Sequence, residues 1–116
     1  MSIFANVVVA LIALLHIYFL MLEMFFWDKP LGLRTFKLTP EFAKASKVLA
    51  ANQGLYNGFL AAGLLWGLWR VDVATQVFFL CCVLVAGIYG AATVDKKILF
   101  VQALPAKIGL ILIWLA

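Results

Sequence analysis

Charge is what this sequence has least of. Lys and Arg number nine and Asp and Glu five, so charged side chains make up 12% of its 116 residues. A soluble domain has about a quarter. Set against 67% hydrophobic residues, that scarcity excludes an ordinary water-soluble fold, which could not cover so much apolar surface. Histidine occurs once, at His16, and cysteine twice, as the adjacent Cys81 and Cys82. A zinc centre needs three or four converging His, Cys or carboxylate ligands, so no metal is expected. Adjacent cysteines suit neither a mutual disulfide nor a Cys-x-x-Cys redox pair, and read as small packing residues. No motif implies a cofactor. The first residues lack the basic n-region and the cleavage site of a signal peptide, so the opening apolar run reads as a retained span.

What is present is a succession of long apolar runs. A hydrocarbon core roughly 30 Å thick asks for about 20 apolar residues per helix. Four such stretches, at about 3–27, 41–69, 73–94 and 98–116, account for nearly the whole chain as one transmembrane domain, 1–116. Asp28-Lys29-Pro30 stops the first run, and Asp95-Lys96-Lys97 closes the third. Thr39-Pro40-Glu41 has the form of a helix start, with an N-cap hydroxyl, proline at the first helical position and an acid in the first turn. The expected fold is therefore all-α, an integral membrane four-helix bundle whose partner is the lipid bilayer.

The basic residues give an orientation. Lys29, Arg34, Lys37, Lys44, Lys47, Lys96 and Lys97 flank the first and third loops, and only Arg70 lies in the second. Positive loops face the cytoplasm. Both termini are then expected on the outer side of a multi-pass protein of the cell membrane, the bacterial inner membrane in particular. This use of the +4 net charge leaves no role for nucleic acid.

Polar residues within spans are costly and mark function. His16 and Glu23, seven residues apart, share one helix stripe to within about 20°. Asn52 with Tyr56, and Gln53 with Asn57, are i, i+4 pairs that form a polar arc about 140° wide. A rise of ~1.5 Å per residue puts Glu23, Asn52, Tyr56, Tyr89, Thr93 and Gln102 within roughly 15 Å of the cytoplasmic side. Glu23, Asn52, Gln53, Tyr56, Asn57, Tyr89 and Gln102, with a deeper His16, are expected to form a ligand-binding pocket that opens inward. The other reading of the amides is adhesive, since Asn and Gln commonly bond helix to helix. Glu23 could equally reach interfacial water or pair with Lys44, Lys96 or Lys97. Lys107 is expected either to face the pocket or to snorkel. Gly54-x-x-x-Gly58, Gly63-x-x-x-Gly67, Gly87 and Gly90 permit close helix contacts, and a dimer or trimer is compatible with them.

The run Asn52-Gln53-Gly54-Leu55-Tyr56-Asn57-Gly58-Phe59-Leu60-Ala61, with Glu23, Trp27, Tyr89-Gly90, Gln102 and Pro105-Ala106, resembles the bacterial and fungal small membrane family catalogued as domain of unknown function 1304. The resemblance spans nearly the whole chain and implies four helices, but brings no activity. The spacing of Asn52 and Asn57 is loosely similar to that of the glutathione site of the microsomal glutathione transferase superfamily. The arginine and glutamate of that pattern are missing from the second helix. Length, helix count and a glutamate on the first helix resemble small multidrug exporters. The functional expectation is binding of a small or lipid-like molecule, with transport as its use. The alternatives are a membrane-embedded transferase in which Tyr56 or Tyr89 donates a proton to a developing anion, and a structural or regulatory subunit.

Overall fold

Proline stands at the first or second position of three of the helices of this chain. A computed structural model describes residues 2–116, and among them every regular element is helical. The elements are α1 (Ile3–Met24), α2 (Pro30–Phe36), α3 (Pro40–Trp69), α4 (Val73–Thr93), a π-helical turn (Leu99–Ala103) and α5 (Leu104–Leu115). The class is all-α as expected, with five helices. Of these, α1 and α4 are long and apolar enough to cross a membrane. Asn52, Gln53 and Asn57 dilute the apolarity of α3, and the apolar stretch Leu99–Leu115 is shorter. The chain divides into two compact units. One comprises the chain up to Leu14 with Leu60–Ala116, and the other is Leu15–Phe59.

In the unit Leu15–Phe59, α1 ends at Met24, short of the expected Trp27. Pro30 is the cause. It has no N–H to continue a helix, and it forces the preceding residue out of helical geometry; Lys29 is extended, at φ −95° and ψ 164°. The connection expected as a loop instead winds into α2. Gly32 allows this by lying directly on the carbonyls of Phe26 and Trp27, where a Cβ would collide with backbone oxygen. Lys37 then turns left-handed, at φ 54°, and Leu38 N–H closes on Leu33 O at 2.9 Å, a C-cap that satisfies the helix's last carbonyls. The start of α3 has the expected chemistry, with Pro40 as its first residue and Thr39 Oγ1 accepting from Phe42 N–H at 3.2 Å. Gly54 and Gly58 face Leu20, Glu23 and Met24 of α1, so this glycine pair serves a contact inside the unit.

In the other unit the core is Val9, Ile12 and Ala13 of α1, Leu64 of α3, Leu80 and Val83 of α4, and Ala106 of α5. Phe79 covers Gly63, Gln76 covers Gly67, and the Ala103 backbone lies against Gly87 at 2.5 Å from where a Cβ would stand. The α3–α4 connection is a Schellman turn, in which Val71 N–H reaches Leu68 O (3.2 Å) and Asp72 N–H reaches Gly67 O (2.9 Å). Val71 occupies its left-handed position at φ 52°, which ordinarily takes glycine. Asp72 caps α4, accepting from Ala74 N–H at 3.1 Å and the Thr75 hydroxyl at 2.7 Å. Ahead of Pro105 the backbone widens to π geometry, and Leu104 N–H reaches back to Leu99 O. A proline that donates no bond is a known cause of such local irregularity.

Apolar side chains fill the core and cover much of the surface as well. On α1 the exposed stripe includes Phe4, Val7, Leu11, Leu14, Tyr18 and Met21, and the buried one Ala5, Val9, Ile12, Ala13 and His16. The wholly buried polar side chains of the described residues include His16 and Gln76, with Asn57 nearly so. Asn52 and Gln53 are exposed.

Candidate functional site

In the unit Leu15–Phe59 a carboxylate is bonded to a side-chain amide on another helix. Asn57 Nδ2 donates to Glu23 Oε1. The two meet because Gly54 removes a side chain at the crossing: its Cα lies over Glu23 Cβ and Met24, and a Cβ there would come within 3.1 Å of Glu23 Cβ. Gly54 and Asn57 are i, i+3 and share the face of α3 that points at α1. Glu23 is half-buried and Asn57 buried. The partner of Glu23 is thus an amide one helix away. An acid on an apolar helix is held by a neutral donor, which leaves its charge uncompensated within the bond.

His16 lies fully buried on the same α1 stripe, with its ring edge-on to Phe19 at a centroid distance of 5.3 Å. Asn52, Gln53 and Tyr56 are exposed and point away from the α1 contact. The Tyr56 ring lies beside Phe59 at 6.0 Å. The polar arc of α3 is therefore divided, with Asn57 turned to Glu23 and the other three on the outer face. In the second unit, Gln102 is half-buried in the π-helical turn, and Tyr89 is exposed on α4 above an open apolar trough shared with Phe78, Cys82 and Ala86. Lys107 is exposed on α5.

A rim surrounds the end of the Glu23 site. Trp27 Nε1 donates to Ser46 Oγ at 3.1 Å, and its ring meets Phe36 of α2 at 5.0 Å. Lys47 Nζ pairs with Asp28 Oδ2 at 3.0 Å, and the hydrogen bond from Lys47 holds the Asp28 carboxyl below the usual range. Sequence reasoning missed one polar residue altogether. Gln76 is fully buried in the second unit, with Nε2 donating to Gly67 O at 3.0 Å and Oε1 without a protein partner. Its position one turn after the Asp72 cap disguised it as part of a polar helix start. Among the described residues no three His, Cys, Asp or Glu side chains cluster as metal ligands would.

These features define an all-helical protein, apolar outside and polar at selected points within, two of whose helices are long and apolar enough to span a membrane. The chain belongs to the family described as Protein of unknown function (DUF1304), which it matches over residues 10–114. It is similar to Uncharacterized protein YpaA of Lactococcus lactis subsp. lactis (strain IL1403), at 30% identity over 115 residues, covering 96% of this chain and 97% of that one. No solved structure matches it.

Proposed function

We propose that this chain is a multi-pass membrane protein with both termini outside, whose Glu23–Asn57 pair is the recognition centre for a small or lipid-like molecule entering from the cytoplasmic leaflet. Transport of that molecule is the proposed use. The observation that carries the reading is a half-buried acid bonded to a buried amide on the neighbouring helix, beside an α1 face that exposes large apolar side chains. Ionisable groups within spans are costly and mark ion, proton or ligand pathways. A carboxylate bonded to a neutral donor selects a ligand that brings a positive charge or a proton donor. The exposed apolar stripe of α1 and the seven basic residues of the first and third loops support the membrane topology.

The test is a thermal-shift series on the detergent-solubilised chain with long-chain amines, phospholipids and reduced glutathione. Long-chain amines are expected to stabilise the wild type and to lose that effect in Glu23→Gln. The variant without ligand should melt close to wild type, because the Gln carbonyl still accepts from Asn57. Stabilisation by glutathione that survives Glu23→Gln would instead favour a transferase. No response to any of the three would leave the pair as helix adhesive.

A further inference from the structure

The connection between α1 and α3 is more highly built than a linker needs to be. Within 28–47 it carries Lys29, Arg34, Lys37, Lys44 and Lys47 against Asp28 and Glu41. Lys47 is taken up by Asp28 at 3.0 Å. Lys29, Arg34, Lys37 and Lys44 are exposed and form no ion pair among the described residues. The remaining acid of the unit, Glu23, is held by Asn57. Four cations thus stand on one segment with Glu41 as the only acid of that segment left to answer them, which leaves it a positively charged surface.

The segment holds them in place. Gly32 is seated on the Phe26 and Trp27 carbonyls, Trp27 is bonded to Ser46 with its ring tilted against Phe36, and Thr39 caps the next helix. Leu31, Leu33 and Phe36 of α2 are half-buried, whereas Arg34 and Lys37 face out. Phe25 and Phe42 are exposed on either side, at 60% and 57%. A short ordered helix with fixed cations and flanking aromatic rings has the composition of a surface lying at headgroup level. Basic clusters immediately cytoplasmic of a span recognise anionic lipid.

We propose that α2 and the start of α3 form a docking surface for the phosphodiester headgroups of anionic phospholipids, with Arg34 and Lys37 as its centre. The proposal rests on the membrane reading above and adds a lipid selectivity to it. Arg34 offers a planar fork of donors to a phosphate and Lys37 a point charge, and each cation near an anionic surface raises affinity about fivefold.

The full chain, extracted in detergent, is mixed with equal amounts of phosphatidylglycerol and phosphatidylcholine of the same acyl chains, and the lipids retained are counted by native mass spectrometry. Phosphatidylglycerol should be preferred in the wild type, and the double variant Arg34→Gln/Lys37→Gln should lose the greater part of that preference. The exchange Arg34→Lys/Lys37→Arg should keep it, and Arg70→Gln, in the other loop, should leave it unchanged. Helix content by circular dichroism controls for folding in each variant. Equal retention of the two lipids by the wild type would overturn the proposal, as would a preference that survives the double variant or disappears with Arg70→Gln. A soluble chain that needs no detergent would overturn the membrane reading itself, and an extracted chain without lipid preference would overturn only this inference.

Discussion

Val71 is the most strained residue of the described chain and the simplest to relieve. A β-branched side chain at φ 52° brings Cβ against the following carbonyl, at a cost of roughly 1–2 kcal/mol. Val71→Gly keeps the Schellman bonds from residues 71 and 72 and removes that contact, so the variant should be about 1 kcal/mol more stable, read as a higher melting temperature in detergent. At this scale the sequence was legible in part. Glu23 and Asn57 were both identifiable as polar residues inside apolar helices, and a seven-residue stripe placed His16 with Glu23. Their partners were not. Asn57 meets Glu23 only because Gly54 sits opposite, and the pairing depends on where two helices cross, which no spacing along one helix encodes. Gln76 was hidden because a polar residue near a helix start has a local explanation.

Among the elements, α2 depends on a single atom's absence. Any side chain at position 32 would meet the carbonyls of Phe26 and Trp27, so Gly32→Ala should unseat α2 while leaving α1 and α3 helical. The expected outcome is faster trypsin cleavage after Arg34 and Lys37 at unchanged overall helix content. The cap of α4 carries the pH dependence. Hydrogen bonds from the Thr75 hydroxyl and from the Thr75 and Ala74 amides hold the Asp72 carboxyl below its ordinary range. A depressed carboxylate contributes stability above its unfolded pKa of about 3.9, and that contribution is lost as pH falls through the folded value. Asp72→Ala should therefore melt below the wild type at neutral pH, and the difference should shrink as pH is lowered beneath about 4. The start of α3 was legible from the residues, since Thr39-Pro40-Glu41 declares it, whereas the Asp72 cap of α4 was not read from the sequence. The helix inside the first loop was not, because seven residues with one glycine and a leading proline carry no helical period of their own.

For the whole molecule, the informative feature is the amount of apolar surface. Composition argued against an ordinary soluble fold, and on α1 large apolar side chains from Phe4 to Met21 are exposed. The number of crossings is the quantity to measure. In a background with Cys81 and Cys82 replaced by Ala, a single cysteine at Thr35 and another at Val71 should label from opposite sides of sealed vesicles. The residue 35 label is expected on the cytoplasmic side. Labelling of both from one side would remove the four-span topology. The apolar runs were legible as lengths. The bounds of α3 and α4 fall within a residue of those expected, whereas α1 ends at Met24 rather than Trp27 and the chain before Pro105 takes π geometry, which the residue pattern did not announce.

The carbonyl of Gly67 receives two donors, the Asp72 amide that closes the α3–α4 turn and the Gln76 side chain that lies buried below it. Opening the turn therefore strips a buried amide of its acceptor in the same event, so the hairpin's edge and its interior exchange their protons with solvent as one cooperative unit. The Asp72 backbone amide should be protected from deuterium to the depth of the core, far longer than its place in an exposed connection would suggest.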